Sequence, residues 1–164
     1  DLISRAVGHN SFQWGALVGR PLIAQWVFDI RRTIEVLQEQ GMLGKESRLS
    51  ILSTGEAGIV AFTANAVLED ITSVVAIDAP HTLVRRTPFE KSHVGVILPN
   101  MFNLVGDIAH LIGLSVKNKD TVLLYTDDER NPSVGDVSNA LKPALKVKEI
   151  LKSPNDVLVM MQPE

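Results

Sequence analysis

The chain has 164 residues, a formal net charge of −3 and no cysteine, with 45% hydrophobic and 21% charged residues. That length suits one domain around one buried core, and the composition is ordinary for a globular chain. The absent cysteines exclude disulfides, thiolate nucleophiles and cysteine-ligated metals. No basic stripe marks a nucleic-acid surface, and no apolar run approaches the ~20 residues of a membrane span. No secretory leader is visible, and a start at Asp1 reads as a processed product or an excised domain.

Residues 1–20 are mixed in character and broken by Gly8, Gly15 and Gly19. Pro21 suits a first helical turn, and Ile23, Val27, Ile30, Ile34 and Leu37 follow at helical spacing. Gly41 and Gly44 end that helix. The pairs Arg31-Arg32 and Arg85-Arg86 read as solvated faces. Leu49 to Ser53 is a short buried strand, and Ala57 to Leu68 is a small-residue helix able to lie close on a sheet. Val74 to Ile77 is a second strand, closed by Asp78-Ala79-Pro80, and residues 81–99 are irregular. Phe102 to Leu111 predicts one helix, weakened by Gly106. Val122 to Tyr125 is a third strand running into Thr126-Asp127-Asp128. Val134 to Leu151 is helical, with Pro143 kinking or restarting it, and Val157 to Met161 is a fourth strand.

Strands of continuous Val, Ile and Leu alternating with helices predict an α/β fold. The expectation is three α/β/α layers around a mostly parallel sheet of about four to five strands. Residues 1–164 read as a single domain with no repeat, linker or low-complexity segment. Such a sheet leaves a bare edge beside its first strand, which predicts a homodimer or strand exchange across that edge.

In an open parallel sheet, ligands bind beyond the carboxyl ends of the strands. Those ends carry Ser53-Thr54-Gly55, Asp78 and Asp127-Asp128. The stretch from Ser53 to Gly58 has the strand–turn–helix form of a nucleophile elbow, G-x-S-x-G. Aligned on that pattern, Ser53 falls on the first glycine, Gly55 on the serine and Ala57 on the second glycine. All are small, as a crowded turn requires, but the hydroxyl is absent. Ser53, two residues before the apex and directed into the layers, and Thr54, beside the apex, are the substitute nucleophiles. Asp127 or Asp128 stands where a triad acid would follow a late strand. The simpler reading of both is a solvated turn before Asn131-Pro132. The histidines are His9, His81, His93 and His110, and none follows Asp128 as the triad order asks.

The same turn has a rival reading. Ser53-x-Gly55-x-x-Gly58 is one glycine short of G-x-G-x-x-G, and Asp78 lies 23 residues after Gly55, where an acid would hold ribose hydroxyls of a dinucleotide. Backbone N–H groups at the helix start would hold the phosphates, yet the Glu56 carboxylate would repel them. Among the histidines, His81 is the best placed, because it follows a strand end. Asp78, His81 and Asp127 have metal-ligand chemistry without a spacing that demands a metal, so none is assigned. Glu56, Asp78 and His81 stand as the candidate binding residues.

Four segments together resemble the C-terminal part of bacterial α/β-hydrolases related to acetyl xylan esterases. They are Leu17-Val18-Gly19-Arg20-Pro21-Leu22 with Trp26-Val27-Phe28-Asp29-Ile30, then Arg48 to Gly58, then His93 to Pro99 with Phe102-Asn103-Leu104 and Asp107-Ile108, and finally Thr121 to Asp128. The third is similar to a Phe-Asp/Asn-Leu-Pro-Asp stretch of that family. The resemblance spans roughly residues 15–130 and lies in the order of the segments rather than in one motif. It implies a serine-esterase fold acting on acetylated carbohydrate through an acyl-serine, with no metal and no organic cofactor, in a periplasmic or secreted setting. It also implies departures: Gly55 replaces the nucleophile, the family's histidine has no counterpart, and the strands bearing the oxyanion loop are absent. Of the family's catalytic residues only the triad acid carries over, onto Asp127 or Asp128. The chain is therefore expected to be inactive alone. The alternatives are a non-catalytic binding or scaffolding domain, or a Rossmann-like dinucleotide-binding domain.

Overall fold

The computed structural model describes residues 14–44, 46–84, 96–126 and 132–161. Four strands, β1 (Leu49–Thr54), β2 (Ile71–Ile77), β3 (Asp120–Tyr125) and β4 (Val157–Met161), form one sheet in the order β1-β2-β3-β4. Every pairing is parallel. The helices are α1 (Leu22–Glu39), α2 (Ala57–Val67), α3 (Met101–Leu104), α4 (Ile108–Ser115), α5 (Val134–Ala140) and α6 (Lys142–Leu151), preceded by a helical turn at 14–17. This is the expected α/β class, a four-stranded parallel sheet with helices packed against it, consistent with α/β/α layering. Among the described residues, no helix is long and apolar enough to cross a membrane.

The sequence pattern explains most of these elements. Helix α1 buries Ile23, Trp26, Val27 and Ile34, the stripe that the three-to-four spacing lays toward a core. It ends at Gly41, whose φ of +71° suits the left-handed residue after a helix. Helix α2 is buried from Gly58 to Asn65, because it lies between α1 and α4 and on β1 and β2 at once. Its small side chains permit that approach.

Two expectations need correction. The single helix expected over 102–111 is two, because Gly106 takes a φ of +114° and ends α3, and Asp107 then caps α4. The tract over 134–151 does not kink but restarts: α5 stops at Ala140, and Pro143 sits in the first turn of α6, where its missing N–H costs nothing. Strands β2 and β3 also begin earlier than their apolar runs, at Ile71 and Asp120, and Ser73 pairs with Asp120.

The topology decides which side of the sheet is covered. Sequential parallel neighbours joined by crossovers of one hand carry all their helices on one face. Helices α1, α2, α4 and α6 accordingly form a row, each against the next. The strand residues beneath them are Leu49, Ile51, Val74, Ala76, Leu123, Tyr125, Val157, Val159 and Met161, all part of the core or packed against it. Alternate residues point the other way. That second face carries Leu52, Val75, Ile77, Val122, Leu124, Leu158 and Met160, and no described helix packs on it. Strands β1 and β4 are the edges of the described sheet.

Candidate functional site

The turn after β1 closes the carboxyl end of the sheet. The ladder runs one residue past the strand: Gly55 N–H donates to Ile77 O at 2.7 Å. The chain then reverses at Gly55, with φ +56°, and Gly58 N–H donates to Gly55 O at 3.0 Å as α2 begins. A Cβ at Gly55 would meet nothing within 4 Å. The apex is therefore a left-handed position whose side-chain direction opens outward, the geometry of a strand–turn–helix elbow. At Gly58 the opposite holds, since a Cβ there would overlap the Ala79 methyl. The close approach falls on Gly58, one residue after the Ala57 position aligned to the second elbow glycine.

The substitute nucleophiles lie on either side of the sheet. Ser53 is buried under the helices, and its hydroxyl donates to Val75 O at 3.4 Å, long for a hydroxyl bond. Thr54 is exposed and belongs to the opposite face. Neither is placed at the apex.

Asp78 ends β2 and stands beside Gly55 in the row of strand ends. Its φ is +51°, a strained region for a residue with a Cβ, though Asp tolerates it better than most. Its N–H continues the ladder to Leu124 O at 2.8 Å. Its carboxylate accepts from Thr126 N–H at 2.7 Å and from the Thr126 hydroxyl at 2.8 Å. Asp78 thus fastens the exit of β3, immediately before Asp127 and Asp128. Those two residues lie outside the described residues, as do His9 and His93.

Behind this row is a buried support. Tyr125 is 1% exposed, and its hydroxyl donates to Ala79 O at 2.9 Å. Burial, and after it the negative charge of Asp78, push its phenol well above the ordinary value of 10.0. Ala79 in turn packs on Gly58. Glu56 precedes α2 without capping it by its side chain, and both Glu56 and His81 are half-buried. Among the described residues, no group of three or more His, Asp or Glu is placed to hold a metal.

Asp107 emerges as an organising residue that motif reasoning did not single out. Its carboxylate accepts from the Ile108 and Leu83 N–H groups at 2.8 Å each and from the Thr82 hydroxyl, while its own N–H donates to His110 Nδ1 at 3.0 Å. It pins the segment after His81 to the start of α4. The signal was present, an Asp directly before an apolar run, which is an N-cap signature.

The concavity of the molecule lies elsewhere. A cleft of about 470 Å³ opens where β1 and β2 begin, between Ile34 and Gln38 of α1 and the Glu69-Asp70 turn, with Ser47 and Thr72 on its wall. Gln38 donates to Asp70 there at 2.9 Å. The length of β1 puts this cleft ~16 Å from the Gly55 turn. No protein-family model, curated protein or solved structure matches the chain.

Proposed function

We propose that the chain is an α/β-hydrolase-type domain, related to acetyl xylan esterase-like carbohydrate esterases, that works as a pseudoenzyme. The observation carrying this reading is the turn itself. Gly55 occupies the apex of a strand-to-helix elbow at the carboxyl end of β1, with φ +56° and an open side-chain direction, but has no hydroxyl to attack an ester. Support comes from the ladder that sets Gly55, Asp78 and Thr126 side by side, which aims the chain toward Asp127 and Asp128 as a triad acid would require. No histidine follows Asp128 in these 164 residues to act as general base. Acetylated carbohydrate is the substrate class that the resemblance suggests for a complete relative.

A fluorophosphonate probe and an aryl acetate test this directly. We expect no covalent labelling and no acetate release above buffer. Labelling of Ser53, Thr54 or any other hydroxyl would overturn the reading.

A second reading, a non-catalytic binding domain, is favoured by the cleft near Asp70, which lies at the opposite end of the sheet from the turn. The dinucleotide reading draws less support, because the Asp78 carboxylate already accepts two hydrogen bonds from Thr126. A thermal upshift with millimolar NAD or NADP would revive it.

A further inference from the structure

We infer that the uncovered face of the sheet is a self-association surface, and that its occupant is the same face of a second copy of this chain. The face is built from alternate residues of all four strands: Leu52, Val75 and Ile77, then Val122 and Leu124, then Met160. Leu52 is 69% exposed and Met160 52%, beside Leu158 at 45%. Apolar groups at such exposure gain by leaving water, and parallel sheets are found almost only with both faces covered.

The chemistry of the face favours a like partner. Its charged group is Asp120, at one end, so two copies meet without stacked charge. Its hydroxyl rim is self-satisfied, since Ser50 Oγ and Ser73 Oγ lie 2.6 Å apart and bond to each other. Burying the rim therefore strands no polar group. Shape points the same way. Four strands span ~19 Å, whereas one docked helix covers ~10 Å. A second sheet packed ~10 Å away covers the whole width. The footprint, ~19 by ~17 Å or about 300 Å² per copy, is below the ~800 Å² per partner of standard interfaces. The dimer is accordingly weak and concentration-dependent.

Pairing along the outer edge of β1 is the competing geometry, and Leu124 separates the two. It sits on β3, an inner strand, so its side chain reaches only a partner lying on the face. Sedimentation of the wild-type chain over a concentration series is expected to move from 17.9 kDa toward about twice that mass. Leu124→Lys should stay monomeric at the concentrations where wild type has dimerised, with an unchanged circular-dichroism melt at low concentration. The chain has no native cysteine, so Leu124→Cys with a short bismaleimide is a clean second probe and should give a covalent dimer. Wild type that stays monomeric at every concentration overturns the inference, as does a dimer that survives Leu124→Lys. Should Leu124→Lys fail to fold, absence of the Leu124→Cys cross-link overturns it. A Leu124→Cys thiol that resists modification in a monomer would do so too, by showing that the face is covered from within the chain.

Discussion

Gly55 and Gly58 flank the same turn and require glycine for opposite physical reasons. At Gly55 there is room but the wrong dihedral: φ is +56° and nothing lies within 4 Å of an added Cβ. At Gly58 the dihedral is ordinary but a Cβ would overlap Ala79. A left-handed L-residue costs about 1–2 kcal/mol, and overpacking a core contact costs about 1–3 kcal/mol. The surroundings of Gly58 relax poorly, since Ala79 is held by its carbonyl to Tyr125. Gly58→Ala is therefore expected to lower stability by more than Gly55→Ala in paired urea melts, and the reverse order would show that the turn tolerates crowding. Tyr125 gives a pH-dependent counterpart. Its phenol titrates higher in the folded chain than its ordinary 10.0, so its contribution is complete below pH 10.0. That contribution is lost as pH rises further, because the unfolded chain releases the proton first. The chain has one tyrosine, so phenolate absorbance reports this group alone. We expect phenolate to appear together with alkaline unfolding, and Tyr125→Phe to remove that component of the pH dependence. Phenolate formed in the still-folded chain would contradict it.

At the scale of elements, what the sequence disclosed follows the range of the interactions involved. The four strands were legible because a parallel strand needs an unbroken apolar run, and Leu49 to Ser53 and Val157 to Met161 supply one. Helix α1 was legible from its single buried stripe. The break between α3 and α4 was half legible: Gly106 signalled weakness, but the N-cap by Asp107 is fixed by contacts to Thr82 and Leu83, 25 and 24 residues away. The turn at Gly55 was visible as a string of small residues. The work of Asp78 was not, because its partner Thr126 is 48 residues distant, and an isolated Asp at a strand end reads equally well as a ligand for ribose or metal. Lys119 is a further case. It donates to the carbonyls of Asn65 and Leu68 at the end of α2, more than 50 residues away, and burial lowers its pKa. Only the folded chain shows that it closes that helix.

For the molecule as a whole, the uncovered face and the bare edges are separable, because they involve different groups. The face offers side chains; the edge offers backbone N–H and C=O. In β1 the Gly55 N–H points to β2, and successive residues of a parallel strand alternate in direction. The Ser53 and Ile51 amides therefore face β2, while those of Leu52 and Thr54 face outward. Strands β2 and β3 are bonded on both sides. Native-state hydrogen exchange should show the slowest amides in β2 and β3, with alternation along β1: Ser53 and Gly55 protected, Leu52 and Thr54 fast. Face-to-face association preserves this pattern at any concentration, because it leaves the edge backbone untouched. Protection gained at Leu52 and Thr54 as concentration rises would mean that β1 pairs along its edge. That outcome would return the molecule to the strand-exchange geometry expected from its open sheet.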